Sequence, residues 1–264
     1  MTMTKLGIDI SYHNGEIDFK TLSNNIDFAI IRAGYGQGNV DKKLFEYVSG
    51  CNQYKIPFGF YWFSYATTES MGTNEAKYFI EAIKTFKPVY PCFFDYEDES
   101  HKGRLNFQTI ANIANSFISI MKNNGYNCGI YCDNEYYCGY AKNFVGKVPI
   151  WYARWGTTEK PPECDIYQYS DKGIVDGIKS KVDMNICYKD YAETKTEINT
   201  TILSELLKCF DEYSLKYVKI ATQIIDGKYG NGEERKKRLK EENIDVEFAQ
   251  KLVNLLVNYV KPEG

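Results

Sequence analysis

The chain has 264 residues, 44% hydrophobic and 16% aromatic, with a formal charge of −3. That length fits one large domain, or a large domain with a small module. The near-balanced charge excludes a general affinity for polyanions, and no run approaches the roughly 18 apolar residues of a membrane-spanning helix.

The N-terminal stretch "MTMTKLGIDIS" runs directly into a strand pattern with no apolar leader. Synthesis in a cytosol is therefore expected, and a protein acting outside its cell would need some other means of release. Eight cysteines show no CxxC spacing and there are only two histidines. Zinc is thus not expected, no cofactor is expected, and thiols in apolar runs (Cys92, Cys128, Cys187) are expected to be buried and reduced.

Eight short runs rich in β-branched and aromatic residues follow one another: "KLGIDIS" (5–11), "DFAIIRAGYG" (27–36), "PFGFYWFSYA" (57–66), "YPCFFDYE" (90–97), "NCGIYCD" (127–133), "VPIWYARW" (148–155), "CDIYQYS" (164–170) and "KVDMNIC" (181–187). Near-continuous apolar strands suit a sheet buried on both faces. Between the third and fourth, Ala76, Phe79, Ile80 and Ile83 have helical spacing. Between the fourth and fifth, "NFQTIANIANSFISIMKNNG" reads as a helix closed by Gly125. The last three runs are joined by stretches too short and too rich in Pro, Gly and Asp for good helices. This predicts an α/β fold, a TIM-like barrel with irregular final connections. An open doubly wound sheet is the alternative, but "DISYHNGEID" is not the glycine-rich phosphate loop it would need.

Beyond about residue 190 the texture changes. A barrel over 1–190, a polar linker over 191–211, partly helical in pattern, and a helical module over 212–264 are expected. Three helices are read near 213–226, 232–240 and 246–260, with Asp245 as the N-cap of the last.

The candidate chemistry lies in carboxylates at strand ends. Residues i and i+2 of a strand share a face, about 6.6 Å apart, so Asp95 and Glu97 point the same way and Tyr96 the other. A solvated strand end would look the same. However, Asp9 in "GIDIS" and Asp183 in "KVDMN" are also embedded in apolar strands, where an acid is costly unless it faces a cleft or a partner. Asp98 and Glu99 read as solvated loop. Crowded carboxylates drive their pKa values apart, which provides the protonated acid and the ionised partners that glycoside cleavage uses. The 23 tyrosines suit a sugar cleft, since sugar C–H faces stack on aromatic rings; ordinary half-buried tyrosines explain the count equally well.

The segments "GIDISYHNGEIDFKTL", "DFAIIRAGYG", "GFYWFSYA", "FFDYE", "GIYCDNEYY", "IWYARWG", "IYQYSDKGIVDGI" and "VDMN" resemble, in order and spacing over about residues 5–190, the family 25 lysozymes among glycoside hydrolases. The resemblance implies a barrel of five β/α units followed by three strands. It also implies cleavage of the β-1,4 bond between N-acetylmuramic acid and N-acetylglucosamine in bacterial peptidoglycan. By position, Glu97 is similar to the proton donor of these enzymes and Asp95 to the partner that stabilises the transition state. Asp9 and Asp183 match the remaining acids. Tyr61, Tyr131, Trp151, Tyr152, Arg32 and Gln168 lie at strand ends where members contact sugar, although for each aromatic a place in the core is as good a reading. "RAGYG" stands where many members have a Lys-Ala-Thr-Glu-Gly-like segment, which bears on sugar contacts near Arg32 and Tyr35.

"QIIDGKYGNGEERKKRLKEENIDVEFAQKLVN" resembles a small three-helix cell-wall-binding repeat of phage lysins. On that resemblance Tyr229, in place of the usual Trp, and Arg235 are expected on a wall-binding face. Charges alone would read as a solvated helix with i,i+4 pairs. Flanking acids argue against nucleic acid as the partner of the basic run.

The expected function is therefore a muramidase of phage or prophage endolysin type, made in the host cytoplasm and acting on the wall after release. A non-catalytic wall-binding protein on the same scaffold is one alternative. A chitinase-like glycosidase is another, but Phe93 and Phe94 stand where chitinases carry further acids.

Overall fold

The computed structural model describes residues 4–97, 104–157, 159, 161–191, 212–225, 228–230 and 232–259. Contacts divide the chain into two compact units, Met1–Ala192 and Glu193–Gly264. The expected linker, apart from Tyr191, lies outside the described residues, as do Asp98 and Glu99.

In the first unit, chain order is β1 (Lys5–Ile10), α1 (Phe19–Leu22), β2 (Phe28–Tyr35), β3 (Asn39–Val40), α2 (Leu44–Gln53), β4 (Phe58–Phe63), α3 (Glu69–Ile83), β5 (Cys92–Asp95), α4 (Phe107–Asn123), β6 (Cys128–Asp133), α5 (Asn134–Gly139), β7 (Ile150–Ala153), β8 (Ile166–Gly173) and β9 (Val182–Cys187). The sheet order β1-β9-β8-β7-β6-β5-β4-β2 is closed by a β1–β2 pairing, giving an eight-stranded barrel with β3 outside it as a hairpin on β2. Five β/α units precede three strands, as the family resemblance implies. Every barrel pairing is parallel except those of β9, which runs antiparallel to both β8 and β1.

Strand alternation explains why the runs are apolar throughout. One face of each strand supplies Ile8, Ile10, Ile31, Phe60, Trp62, Phe94, Tyr96 and Ile130 to a core shared with the helices. The other face supplies Phe28, Ile30, Phe93, Tyr131, Trp151 and Ile166 to the barrel interior. With both faces out of water, each large side chain contributes roughly 1.5–3 kcal/mol of burial.

The helices begin and end on local chemistry. Thr68 and Asn106 accept the N–H groups of Met71 and Thr109 at the starts of α3 and α4. At the end of α4, Gly125 takes a φ of +81. There Tyr126 N–H bonds Met121 O and Gly125 N–H bonds Lys122 O, a Schellman closure. Gly72 lets α3 approach α4, since a Cβ there would stand 2.8 Å from Ile113 Cγ2.

The second unit contains α6 (Glu212–Ile225), α7 (Gly232–Glu241) and α8 (Val246–Tyr259). Asp245 Oδ1 accepts the Phe248 N–H at 3.0 Å, so the expected N-cap is present. The expectation for Tyr229 is corrected here. Its ring is buried with Tyr217, Ile220, Ile224, Leu239 and Ile244, and its hydroxyl donates to Glu242 Oε2 at 2.7 Å. So small a helical unit has few apolar side chains with which to build a core, and this tyrosine is one of them. Half-buried Arg235 donates from Nε to Gly230 O at 3.1 Å, bracing the turn before α7. Tyr229→Ala is therefore expected to destabilise this unit by about 3–5 kcal/mol. Hydrogen exchange on the full chain checks this: protection in α6–α8 should collapse while the barrel amides stay protected. Unchanged protection would show that the ring contributes little to the core.

Candidate active site

The four acids converge at one end of the barrel. Asp9 lies near the C-terminal end of β1, Asp95 ends β5, and Glu97 follows two residues on. Because β9 is reversed, Asp183 near its start reaches the same end and stands opposite Asp9 in the β1–β9 register. Asp95 is 3% exposed and Asp9 6%, whereas Glu97 and Asp183 are half-buried. Tyr96 packs on the outer face against Phe94 and Tyr136, as strand alternation requires.

Asp9 is the best-held acid. Gln168 Nε2 and Asn185 Nδ2 each donate to its Oδ2 at 2.8 Å. The orientation of both amides is set by indoles, which can only donate. Trp151 Nε1 donates to Asn185 Oδ1 at 2.7 Å, and Trp155 Nε1 donates to Gln168 Oε1 at 3.0 Å. Tyr131 O–H donates to that same Gln168 oxygen at 3.0 Å.

Burial and mutual repulsion raise these carboxyls. Asp95 is pushed well above the usual range by burial first, then by Glu97 and Asp9, with Arg32 acting the other way. Asp9 is raised by burial and by Asp183, against the two amide hydrogen bonds. Asp183 rises from 3.8 to about 6, mainly through burial, although its hydrogen bond with Asp9 holds it down. An upward push on Asp95 is the reverse of what a permanently ionised stabiliser needs. Position separates the two: Glu97 lies two residues past the strand end and is half-buried, while Asp95 is enclosed. Burial and the neighbouring Glu97 and Asp9 carboxylates favour the protonated form of Asp95.

A group raised on folding stabilises the fold below its unfolded pKa, and that contribution is lost as pH rises through the folded value. For Asp183 the window is about pH 4 to 6. Asp183→Asn should therefore melt higher than the parent at pH 7 and lose that advantage near pH 4. A tenfold step in acidity is worth about 1.4 kcal/mol. After allowance for remaining solvent, a gain of about 1–2 kcal/mol is expected. Paired thermal melts at the two pH values measure it, and an equal difference at both would refute the assignment.

The other expected contacts divide. Tyr61 is half-buried, with its ring edge on Trp151, and its phenol is raised by burial and by Asp9. Tyr131 and Trp151 line the barrel interior at 4% and 1% exposure. They support the acids through Gln168 and Asn185 and offer no open ring. Gln168 likewise spends both ends of its amide on Asp9, Tyr131 and Trp155. Arg32 is committed from below: Nε meets Asp41 Oδ2 at 2.8 Å, and the Tyr12 and Tyr35 rings lie 5.0 and 5.6 Å from its Cζ. Arg32 Nη2 and Asp95 Oδ1 are buried without a hydrogen-bond partner among the described residues. Tyr152 is a correction. It lies on the outer face, donates to Asn134 Oδ1 at 2.9 Å and packs against Tyr137, because neighbours in a strand face opposite ways.

Four residues of the site carried no signal strong enough to single them out. Asn185 and Trp155 complete the Asp9 network, and Asp41 anchors Arg32. Glu75 of α3 is fully buried and accepts from Ser64 Oγ, Tyr65 N–H and Gln37 Nε2. Ser64 N–H in turn bonds Asp95 O at 2.7 Å, so Glu75 braces the strand end that presents Asp95. Among the described residues no cluster of His, Cys, Asp and Glu could hold a metal ion.

Comparison with known proteins gives the following. The model of glycosyl hydrolases family 25 matches residues 8–178, and that of the CW_7 repeat matches residues 219–257. The chain is 25% identical over 184 residues to the autolytic lysozyme of Clostridium acetobutylicum, covering 68% of this chain and 54% of that protein. It is 30% identical, with a TM-score of 0.60, to the modular autolysin LytC of Streptococcus pneumoniae, a structure in complex with a synthetic peptidoglycan ligand; 69% of this chain and 46% of that one are covered. The catalytic domain of an endolysin from a bacteriophage of Listeria monocytogenes is 27% identical with a TM-score of 0.61, covering 74% and 98%. The chain thus spans about half the length of the first two.

Proposed function

Because the chain belongs to glycosyl hydrolases family 25, we propose that it is a peptidoglycan hydrolase cleaving the β-1,4 bond between N-acetylmuramic acid and N-acetylglucosamine. The observation that carries this is the convergence of Asp9, Asp95, Glu97 and Asp183 at one end of the barrel.

Glu97 gives its proton to the glycosidic oxygen as the C1–O bond breaks, and the sugar carbonyl oxygen of the N-acetyl group closes on C1. Asp95 accepts the amide N–H and balances the positive charge of the resulting oxazolinium; its Oδ1 is buried with no hydrogen-bond partner among the described residues. Water then adds at C1 and returns a proton to Glu97, with net retention of configuration. Asp9 and Asp183, opposite each other across β1 and β9, fix the sugar. The relatives described as an endolysin and an autolysin support a lytic role, and we favour a phage or prophage endolysin. It would be made in the host cytoplasm, where the free cysteines among the described residues stay reduced, and would reach the wall after release. The second unit would tether it to the wall.

Digestion of purified peptidoglycan tests the reading. Reducing-end analysis should find N-acetylmuramic acid, and NMR should find the β-anomer first. New N-acetylglucosamine ends would make it a glucosaminidase, and no new ends at all would leave the non-catalytic alternative.

A further inference from the structure

Trp155 sits just past β7 at the rim of the barrel mouth and is 46% exposed. A lone exposed aromatic is ordinary on a protein surface. This one differs in being fixed from both sides. Its indole N–H is spent on Gln168 Oε1, in the network that holds Asp9. The preceding residue is pinned to β8 at both backbone groups: Arg154 N–H donates to Gln168 O at 3.1 Å, and Arg154 O accepts from Tyr167 O–H at 2.9 Å. Other aromatics of similar exposure, Phe45 and Tyr78, lie on α2 and α3 outside the barrel and have no such tie.

The consequence is a rigid aromatic plate beside the acids. Its only polar atom is turned inward, leaving apolar ring surface in water. Ordering costs little at binding, because backbone and side chain are already held. The ligand chemistry that fits is a flat, C–H-rich face flanked by polar groups, which is a pyranose ring.

We propose that Trp155 is a sugar-stacking platform, binding one N-acetylated hexosamine ring of the glycan next to the bond that is cut. This rests on the function proposed above. It adds a subsite on the β7–β8 rim and makes the same indole fix both the sugar and, through Gln168, the amide that serves Asp9.

The test uses the full chain carrying Glu97→Gln, so that ligand persists, and calorimetric titration with a tetrasaccharide of alternating N-acetylglucosamine and N-acetylmuramic acid. Adding Trp155→Ala should weaken binding roughly two- to tenfold, the range for one aromatic contact. Trp155→Phe keeps a ring and loses the N–H, and should bind within about twofold of the parent. With Glu97 intact, Trp155→Ala should raise KM by a similar factor. Equal binding by the Ala variant and its parent overturns the platform, as does a Phe variant that loses as much as Ala, since then the hydrogen bond and not the ring matters. If the variants bind in this pattern but the chain with Glu97 intact opens no peptidoglycan, the function fails and the platform stands. Cleavage with unchanged binding in the Ala variant would do the reverse.

Discussion

Glu97→Gln is expected to lower hydrolysis of purified peptidoglycan by roughly 10²- to 10⁴-fold, the usual contribution of a positioned general acid. Glutamine keeps the size and the capacity to hydrogen-bond but holds no transferable proton at neutral pH. The residue is half-buried and follows the end of β5, so the barrel interior loses nothing in packing. Turbidity clearance of cell walls and a thermal melt should be run together. A large loss of clearance at an unchanged melting temperature is the expected pair. Near-parental clearance by the folded variant would place the proton donor elsewhere.

Asp95→Asn is expected to be nearly as severe, at roughly 10²- to 10³-fold in kcat, the range for removing one preorganised electrostatic contact to a developing charge. The loss should fall on kcat more than on KM, because the positive charge exists only after the glycosidic bond begins to break. Stability should move the other way. Burial, Glu97 and Asp9 all oppose ionisation of Asp95, so a neutral amide removes a cost that the parent bears once pH rises above the ordinary carboxylate range. The variant should melt at or above the parent temperature at pH 7. Early melting would make Asp95 a structural residue and reduce its catalytic assignment to a packing effect.

How far the sequence could be read depended on how far apart the interacting residues lie. The eight barrel strands are each a continuous apolar run, and the helix limits near Gly125 and Asp245 rest on turns only a few residues long. Those were legible. The two-residue β3 is too short for any period. Strand alternation was also legible, and it separates Trp151 from Tyr152 without a structure: one of two neighbours must face out. Which one does is settled by partners such as Asn134 and Asn185, which lie far along the chain. The roles of Gln168 and Asn185 were invisible for the same reason, since an amide looks alike whether it awaits a sugar or is held by an indole donor. Tyr229 shows the converse error. The resemblance to a wall-binding repeat places it on a surface, while the need of a small helical unit for an aromatic core takes the ring inside.

The closing of the barrel by its first and last strands has a consequence for the cell that makes the protein. Asn185 reaches Asp9 across 176 positions of chain, and β9 also carries Asp183. Pairings of such long separation cannot form until the ribosome has delivered the last strand, and they are slow to form even then. A nascent chain halted before residue 182 already contains Glu97 and Asp95 but has no β9 with which to hold Asp9. The four acids therefore come together in one late step, once β9 has been made and has paired with β1.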